Sequence, residues 1–192
     1  EKQQIEGKMR PSRALADFVA PRGVAKDYVG MFAVTAGIGV EKKEKYFLDD
    51  LDDYSAIMLK ALADRLAEAF AEALHERVRK DLWGYAPQES LGIEEMVKEK
   101  YRGIRPAPGY PACPDHSVKR AMFEVLQARE IGMELTESLA MMPAASVSGF
   151  YLSHPDSVYF NVGRIGEDQL QDQARRRGEE LAQLQRLLAP NL

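Results

Sequence analysis

Between Tyr54 and Lys80 an apolar residue returns at every fourth position: Met58, Leu62, Leu66, Phe70, Leu74 and Val78. Ile57 and Leu59 widen the stripe. Residues at i and i+4 stack on one side of an α-helix, so this recurrence predicts a long amphipathic helix with that stripe turned to the core. Asp64, Glu68 and Glu72 repeat with the same spacing on another face, where Lys60, Arg65 and Arg77 would support a solvated acidic stripe. Asp27–Thr35 carries a different pattern, with β-branched and aromatic residues lying between glycines. It predicts a buried strand with an acid at its entry, ended by Gly37 and Gly39.

The remaining segments are shorter. Residues 1–12 are polar and read as a frayed helix end or a linker. Leu15, Phe18 and Val19 mark the first packed segment, and Pro21-Arg22-Gly23 a turn. Asp49, Asp50, Asp52 and Asp53 lack the alternate spacing, central glycine and closing glutamate of a calcium loop, so they read as a solvated helix entry. A short helix is expected over about Gly92 to Tyr101. Another starts at Asp115 or Ser117, buries Val118, Met122, Val125 and Leu126, and ends at Gly132. Strands are expected at Leu135–Leu139, Ser146–Leu152 and Ser157–Val162, the last two joined through a tight turn at His154-Pro155-Asp156. Two helices close the chain, broken by Gly178 and stopped by Pro190. Strands and helices do not alternate strictly. The order therefore predicts an α+β fold with a mainly antiparallel sheet flanked by helices, not a Rossmann sheet.

One stretch belongs to neither class of element. Arg105-Pro106-Ala107-Pro108-Gly109-Tyr110-Pro111-Ala112-Cys113-Pro114 sets four prolines among small residues. Proline fixes φ, removes a donor and pushes the preceding residue to extended geometry, so an extended, polyproline-like segment with free carbonyls follows. Such a segment is either a rigid connector or a rail along which a ligand lies.

The bulk numbers narrow the field. The chain has 192 residues, enough for one domain with a sizeable core, here residues 13–192. Its net charge of −4, with acids and bases interspersed, gives no basic face for nucleic acid. A single cysteine allows no internal disulfide, which fits a reducing compartment such as the cytoplasm. No apolar run approaches a membrane span, and no signal segment opens the chain. The first residue is Glu1, so the chain reads as a piece of something longer.

The sets that carry most catalysis are missing. There is no Gly-rich phosphate loop, no serine nucleophile elbow and no dinucleotide fingerprint. His75, His116 and His154 are far apart, and Cys113-x-x-His116 is half a zinc pair, so neither a metal site nor a catalytic residue is assigned. What remains is a binding set. Arg105 offers five donors to a carboxylate. The backbone of the rail can pair with a planar heterocycle, and Gly109 permits close approach. Tyr110, Tyr159 and Phe160 offer rings that attract a cation. Asp27, Glu68 and Glu99 can meet an ammonium or ribose hydroxyls, with either assignment open. A ligand carrying a carboxylate, an ammonium, a sulfonium, a ribose and an adenine would use them all, and S-adenosylmethionine is that ligand.

The sequence also resembles a known family. Asp27-Tyr28-Val29-Gly30-Met31-Phe32, Trp83-Gly84-Tyr85, the Arg105–His116 stretch, Leu135-Thr136-Glu137-Ser138, Val147-Ser148-Gly149 and Ser153-His154-Pro155-Asp156-Ser157 are similar to the activation domain of cobalamin-dependent methionine synthase. The likeness runs from about residue 13 to the C-terminus. It implies a C-shaped domain with a twisted antiparallel sheet that binds S-adenosylmethionine along the rail through Asp27, Arg105, Tyr159 and Phe160. Ala107, Gly109 and Tyr110 would supply rail contacts, with Glu68 and Glu99 as acids beside the ligand. It further implies a role in reductive methylation of cob(II)alamin, with cobalamin carried by a partner domain or chain. The electron would come from flavodoxin or a flavoprotein reductase. The family domain begins upstream of the position matching Glu1, and the chain has no cobalamin-binding segment, so alone it would bind the ligand without turning over. Two other readings stay open. One is a stand-alone module that senses S-adenosylmethionine or reactivates another corrinoid protein in trans. The other is a structural domain whose Pro-rich segment is only a connector.

Overall fold

A computed structural model describes residues 12–192 and, before them, the backbone of residues 4, 5, 8 and 9. The polar segment expected at residues 1–12 thus lies largely outside the described residues. In chain order the elements are β1 (Gln4–Ile5), β2 (Lys8–Met9), β3 (Gly30–Thr35), α1 (Val40–Asp49), α2 (Asp53–Arg77), α3 (Ile93–Val97), α4 (Lys119–Val125), β4 (Glu134–Leu135), β5 (Met141–Met142), β6 (Ser146–Tyr151), α5 (Glu167–Arg177) and α6 (Leu181–Leu187). The fold is a mixture of helices and small antiparallel ladders, and the pairs β1–β2, β3–β6 and β4–β5 are each antiparallel. That is the expected α+β class, without the parallel crossover of a Rossmann sheet. Among the described residues no helix is long and apolar enough to cross a membrane.

The central ladder joins β3 to β6 in the register Gly30↔Tyr151 through Thr35↔Ser146. The Pro-rich segment continues it on the far side of β6. Ile104 and Leu152 exchange backbone hydrogen bonds at 2.9 and 3.1 Å, and Phe150 N–H donates to the Pro106 carbonyl at 2.9 Å. At Pro106 the ladder keeps only this one bond, because proline has no N–H to return to Phe150, and the pairing ends there. The segment does not stay extended. Tyr110 N–H donates to the Ala107 carbonyl, and Gly109 and Tyr110 exchange bonds with Cys113, so residues 107–113 fold into a tight double turn. The sequence pattern anticipates the first half of the rail and misses this return.

α2 departs from expectation in its orientation. Of the stripe expected to be buried, Met58, Leu62, Leu66 and Phe70 are exposed, Leu66 at 62%, while Val78 at its end is buried and Leu74 packs against the core. The core side instead carries Ala56, Ala63, Ala67, Ala71 and His75, with Ala71 at 0%. Helix and sheet approach closely there, and a stripe of Cβ-only residues permits what leucines would prevent. Asp52 caps the helix by accepting from Ser55 N–H at 3.0 Å, which gives one of the clustered acids its structural role. The core behind α2 comprises Phe32, Val34, Ala71, Val78 and Tyr151, with Trp83 and Val147 packed against it. Phe32 stacks on Tyr151 at a centroid distance of 4.8 Å. A second cluster, Leu170, Ala174, Leu184 and Leu188, ties α5 to α6 across the break at Gly178.

Three further expectations are corrected. The helix expected over Gly92–Tyr101 spans Ile93–Val97 only, because Glu99 turns into the left-handed region with φ +53°. Ser157–Val162 forms no strand. His154–Ser157 does make the expected turn, closed by Ser157 N–H on the His154 carbonyl, but the chain then leaves β6 and docks on the rail through Val162 N–H and the Pro111 carbonyl at 2.9 Å. Without a partner strand, β-branched and aromatic content alone does not make a ladder. Val125, expected inside, is exposed, and α4 buries the expected Met122 together with Lys119 and Phe123.

The seat of the rail depends on Gly149 in β6. A Cβ there would lie 2.7 Å from the Pro106 carbonyl oxygen and 2.9 Å from Phe32 Cε1. Gly149→Ala is therefore expected to lower stability by about 1–3 kcal/mol, measured as a shifted urea midpoint, since neither backbone nor ring can yield cheaply. An unchanged midpoint would contradict this account of the rail.

Candidate functional site

The rail forms one side of a cavity of about 480 Å³. Phe32 and Val147 reach it from the β3–β6 sheet, Glu68 from α2 and Glu99 from the turn after α3. The rail supplies Arg105, Pro106 and Ala107 before its turn and Tyr110, Pro111 and Ala112 within it. Tyr159, Phe160 and Asn161 come from the segment that leaves β6. The volume falls within the usual range for a small-molecule pocket, roughly 300–1,000 Å³, and the lining mixes rings and aliphatic groups with a few charged ones.

Local folding explains each placement. Ile104 and Pro106 are pinned to β6, which fixes Arg105 between them. Arg105 N–H donates to the Tyr159 hydroxyl at 2.9 Å, and that hydroxyl lies 3.5 Å from the Tyr101 hydroxyl. The backbone before the rail is held as well, with Arg102 donating to the Ser153 and Tyr85 carbonyls at 2.9 and 3.1 Å. Glu99 is presented by its own positive φ, a conformation that costs a non-glycine residue free energy and is concentrated at functional sites.

The Arg105 guanidinium is not free. Its Nη2 lies 2.7 Å from Glu72 Oε2, and Nη1 donates to the Ala71 carbonyl at 2.9 Å. Burial opposes its charge, but the Glu72 carboxylate outweighs burial and holds the guanidinium pKa above its usual value. Glu72, which the helical pattern assigned to a solvated stripe, is thus a missed neighbour of the site. Phe32, Val147 and Asn161 were missed too, because nothing in a strand or loop sequence shows which cavity its residues will meet.

Behind the site lies a buried polar layer that no motif announces. His75 is fully buried, stacks on Tyr151 at 5.1 Å and meets Tyr101 edge-on at 4.7 Å. Burial first, then the Arg79 and Arg105 cations, holds its pKa down to about 2, so the imidazole is neutral. Fully buried Arg79 is gripped by Glu89, with Nε 2.9 and 3.0 Å from the two carboxylate oxygens, and its guanidinium lies 4.3 Å from the Tyr101 ring centroid. Burial, then the Tyr159 hydroxyl, pushes the Tyr101 phenol well above its ordinary range. The signal that could have revealed this layer is the row Ala67, Ala71, His75 and Arg79, again at four-residue spacing.

Seven of the nine expected site residues line the cavity together: Glu68, Glu99, Arg105, Ala107, Tyr110, Tyr159 and Phe160. Asp27 and Gly109 do not. The Asp27 carboxylate accepts from Ala20 and Tyr28 N–H, both at 2.8 Å, and these bonds lower its pKa. Gly109 has φ +96°, and a Cβ there would sit 2.1 Å from His116 Cε1, so its bare Cα makes room for an imidazole.

With this geometry in hand, the chain can be placed. It belongs to the activation-domain family of vitamin B12-dependent methionine synthase, whose family model matches residues 1–178. Among solved structures it is similar to a MetH reactivation domain crystallised with AdoHcy (S-adenosylhomocysteine), at 55% identity and a TM-score of 0.93. That match covers 100% of this chain and 59% of the other.

His75 yields a pH prediction. Its folded pKa lies below its unfolded value of 6.5, so the unfolded chain binds the extra proton. Its contribution to stability is complete above about 6.5 and is lost as pH falls toward about 2. His116, lowered by burial and then by Lys119, adds a smaller effect of the same sign. Between pH 7 and 5, before the carboxylates titrate, unfolding free energy should fall with a slope approaching ~1.4 kcal/mol per pH unit, and His75→Gln should remove most of that slope. An equal slope in the variant would place the proton uptake elsewhere.

Proposed function

We propose that the cavity binds S-adenosylmethionine and that the domain serves the reductive methylation of cob(II)alamin which returns cobalamin-dependent methionine synthase to activity. The observation that carries this reading is the convergence of Arg105, two acids and four aromatic rings on one cavity of nucleoside size. The 55% identical neighbour bound to AdoHcy supports the same ligand class. The site residues above are proposed contacts.

The residues divide the ligand between them. Arg105 takes the methionyl carboxylate with the guanidinium donors that Glu72 and Ala71 leave. Glu68 and Glu99 receive the ammonium and the ribose hydroxyls. Tyr110, Tyr159 and Phe160 pack against the nucleoside and the sulfonium, whose positive charge favours ring faces. The rail at Arg105–Ala107 lies alongside the adenine. No acid, base or nucleophile from this chain is required, because methyl transfer from a sulfonium releases a neutral thioether and no proton. The chain's part is to hold the methyl carbon open to in-line attack and to keep water from the sulfonium. Cobalamin, carried by a partner domain or chain, would supply the nucleophile once a flavodoxin or flavoprotein reductase had delivered an electron.

Calorimetric titration tests the binding half. Wild type should bind S-adenosylmethionine, Arg105→Ala should weaken binding at least tenfold, as losing a charge-assisted pair implies, and Tyr159→Phe should weaken it several-fold by releasing Arg105 N–H. Absent binding, or affinity unchanged in Arg105→Ala, would refute the reading. Incubation with a cob(II)alamin-loaded synthase module, reductant and methyl-labelled S-adenosylmethionine tests the rest, and label should appear on the module only when this domain is present.

A further inference from the structure

Glu72 stands one helical turn after Glu68 on α2, yet the two acids serve different neighbours. Glu68 lines the cavity, whereas Glu72 turns to Arg105, with Oε2 2.7 Å from Nη2. The carbonyl of the adjacent Ala71 takes Nη1 at 2.9 Å, so two acceptors on one rigid helix fix the guanidinium plane. The pair is partly shielded from water, the Arg105 side chain being 14% exposed and that of Glu72 33%. Glu72 Oε1 is buried with no hydrogen-bond partner, so this carboxylate is not satisfied as an isolated structural pair would be.

Two consequences follow. Arg105 arrives at the cavity already oriented, with less rotamer freedom left to lose on binding. Its positive charge is also cancelled at close range. The uncompensated ionic groups of the cavity are then the carboxylates of Glu68 and Glu99, and both favour a cation. A sulfonium nucleoside carries one more positive charge than the thioether left after methyl loss, at nearly the same shape.

We propose that Glu72 is a positioning residue that clamps Arg105 and cancels its charge, so that the cavity prefers a cationic sulfonium nucleoside to its neutral thioether product. This rests on the reading of the cavity as an S-adenosylmethionine site. Bound donor is then retained and spent product released, a discrimination set by charge rather than by contacts to the transferred methyl.

The test titrates wild type, Glu72→Gln and Glu72→Asp with S-adenosylmethionine and with S-adenosylhomocysteine, each protein first shown to be folded by circular dichroism. Wild type should bind the sulfonium more tightly. Glu72→Gln should shrink the ratio of the two affinities about five- to tenfold, the effect of one unit charge lost near a protein surface, mainly by weakening the sulfonium. Glu72→Asp keeps the charge and should keep most of the ratio while weakening both ligands. A purely structural role would weaken both ligands alike in Glu72→Gln, and a ratio within twofold of wild type there overturns the proposal. So does a wild type with no preference. Should Glu72→Gln fail to fold, Glu72→Asp decides: a collapsed ratio despite the retained charge overturns the proposal, and a preserved one supports it. If wild type binds neither nucleoside, the functional reading itself has failed; if it binds both and only the ratio is unmoved, the role of Glu72 alone has.

Discussion

The arrangement depends on three backbone hydrogen bonds. Ile104 and Leu152 exchange two, and Phe150 N–H gives the third to the Pro106 carbonyl. They turn a proline-rich segment, which on its own would be a solvated connector, into an edge strand whose position is set by β6. Everything else at the cavity is referred to that edge. Arg105, held between the two pinned residues, can reach only the α2 side, where Ala71 and Glu72 wait for it. Tyr159 is drawn in by Arg105 N–H, and Pro111 holds the strand-like residues beyond it through Val162. The bare Cα of Gly149 makes the close approach possible.

The same closeness governs α2. A long helix lying on a small sheet can approach it only through small side chains, and Ala71, buried among Phe32, Val34 and Tyr151, serves as that contact. Period-four recurrence of large apolar residues was visible in the sequence, and it located the helix correctly. It did not say which of two competing stripes faces inward. Hydrophobic burial favours Leu and Phe inside, whereas the approach distance favours Ala, and here distance wins because the polar layer of His75, Arg79 and the tyrosines also has to fit beneath the helix.

The residues that gather at the candidate cavity were more legible than the packing. Arginine beside prolines, scattered acids and a Tyr-Phe pair after a turn are local chemical signals; together with the family resemblance they pointed to nine residues, seven of which line one cavity. Asp27 and Gly109 carry the right chemistry but spend it locally, the carboxylate on two backbone amides and the glycine on the His116 ring. Glu72 was illegible for the opposite reason. A carboxylate on a helix face reads as solvated until the partner from another segment is known, and Arg105 lies 33 residues away in sequence. Likewise Ser157–Val162 has the composition of a strand, but pairing is a property of neighbours, and its neighbour is a turn of the rail.

The nucleoside is proposed to sit in the cavity beside the rail, and a crystal structure of this chain with S-adenosylmethionine tests that placement most directly. The expected result places the methionyl carboxylate within hydrogen-bond distance of Arg105 and the nucleoside along Arg105–Tyr110, with Glu72 still paired to Arg105. A nucleoside bound elsewhere, or one whose carboxylate leaves Arg105 untouched, would contradict it.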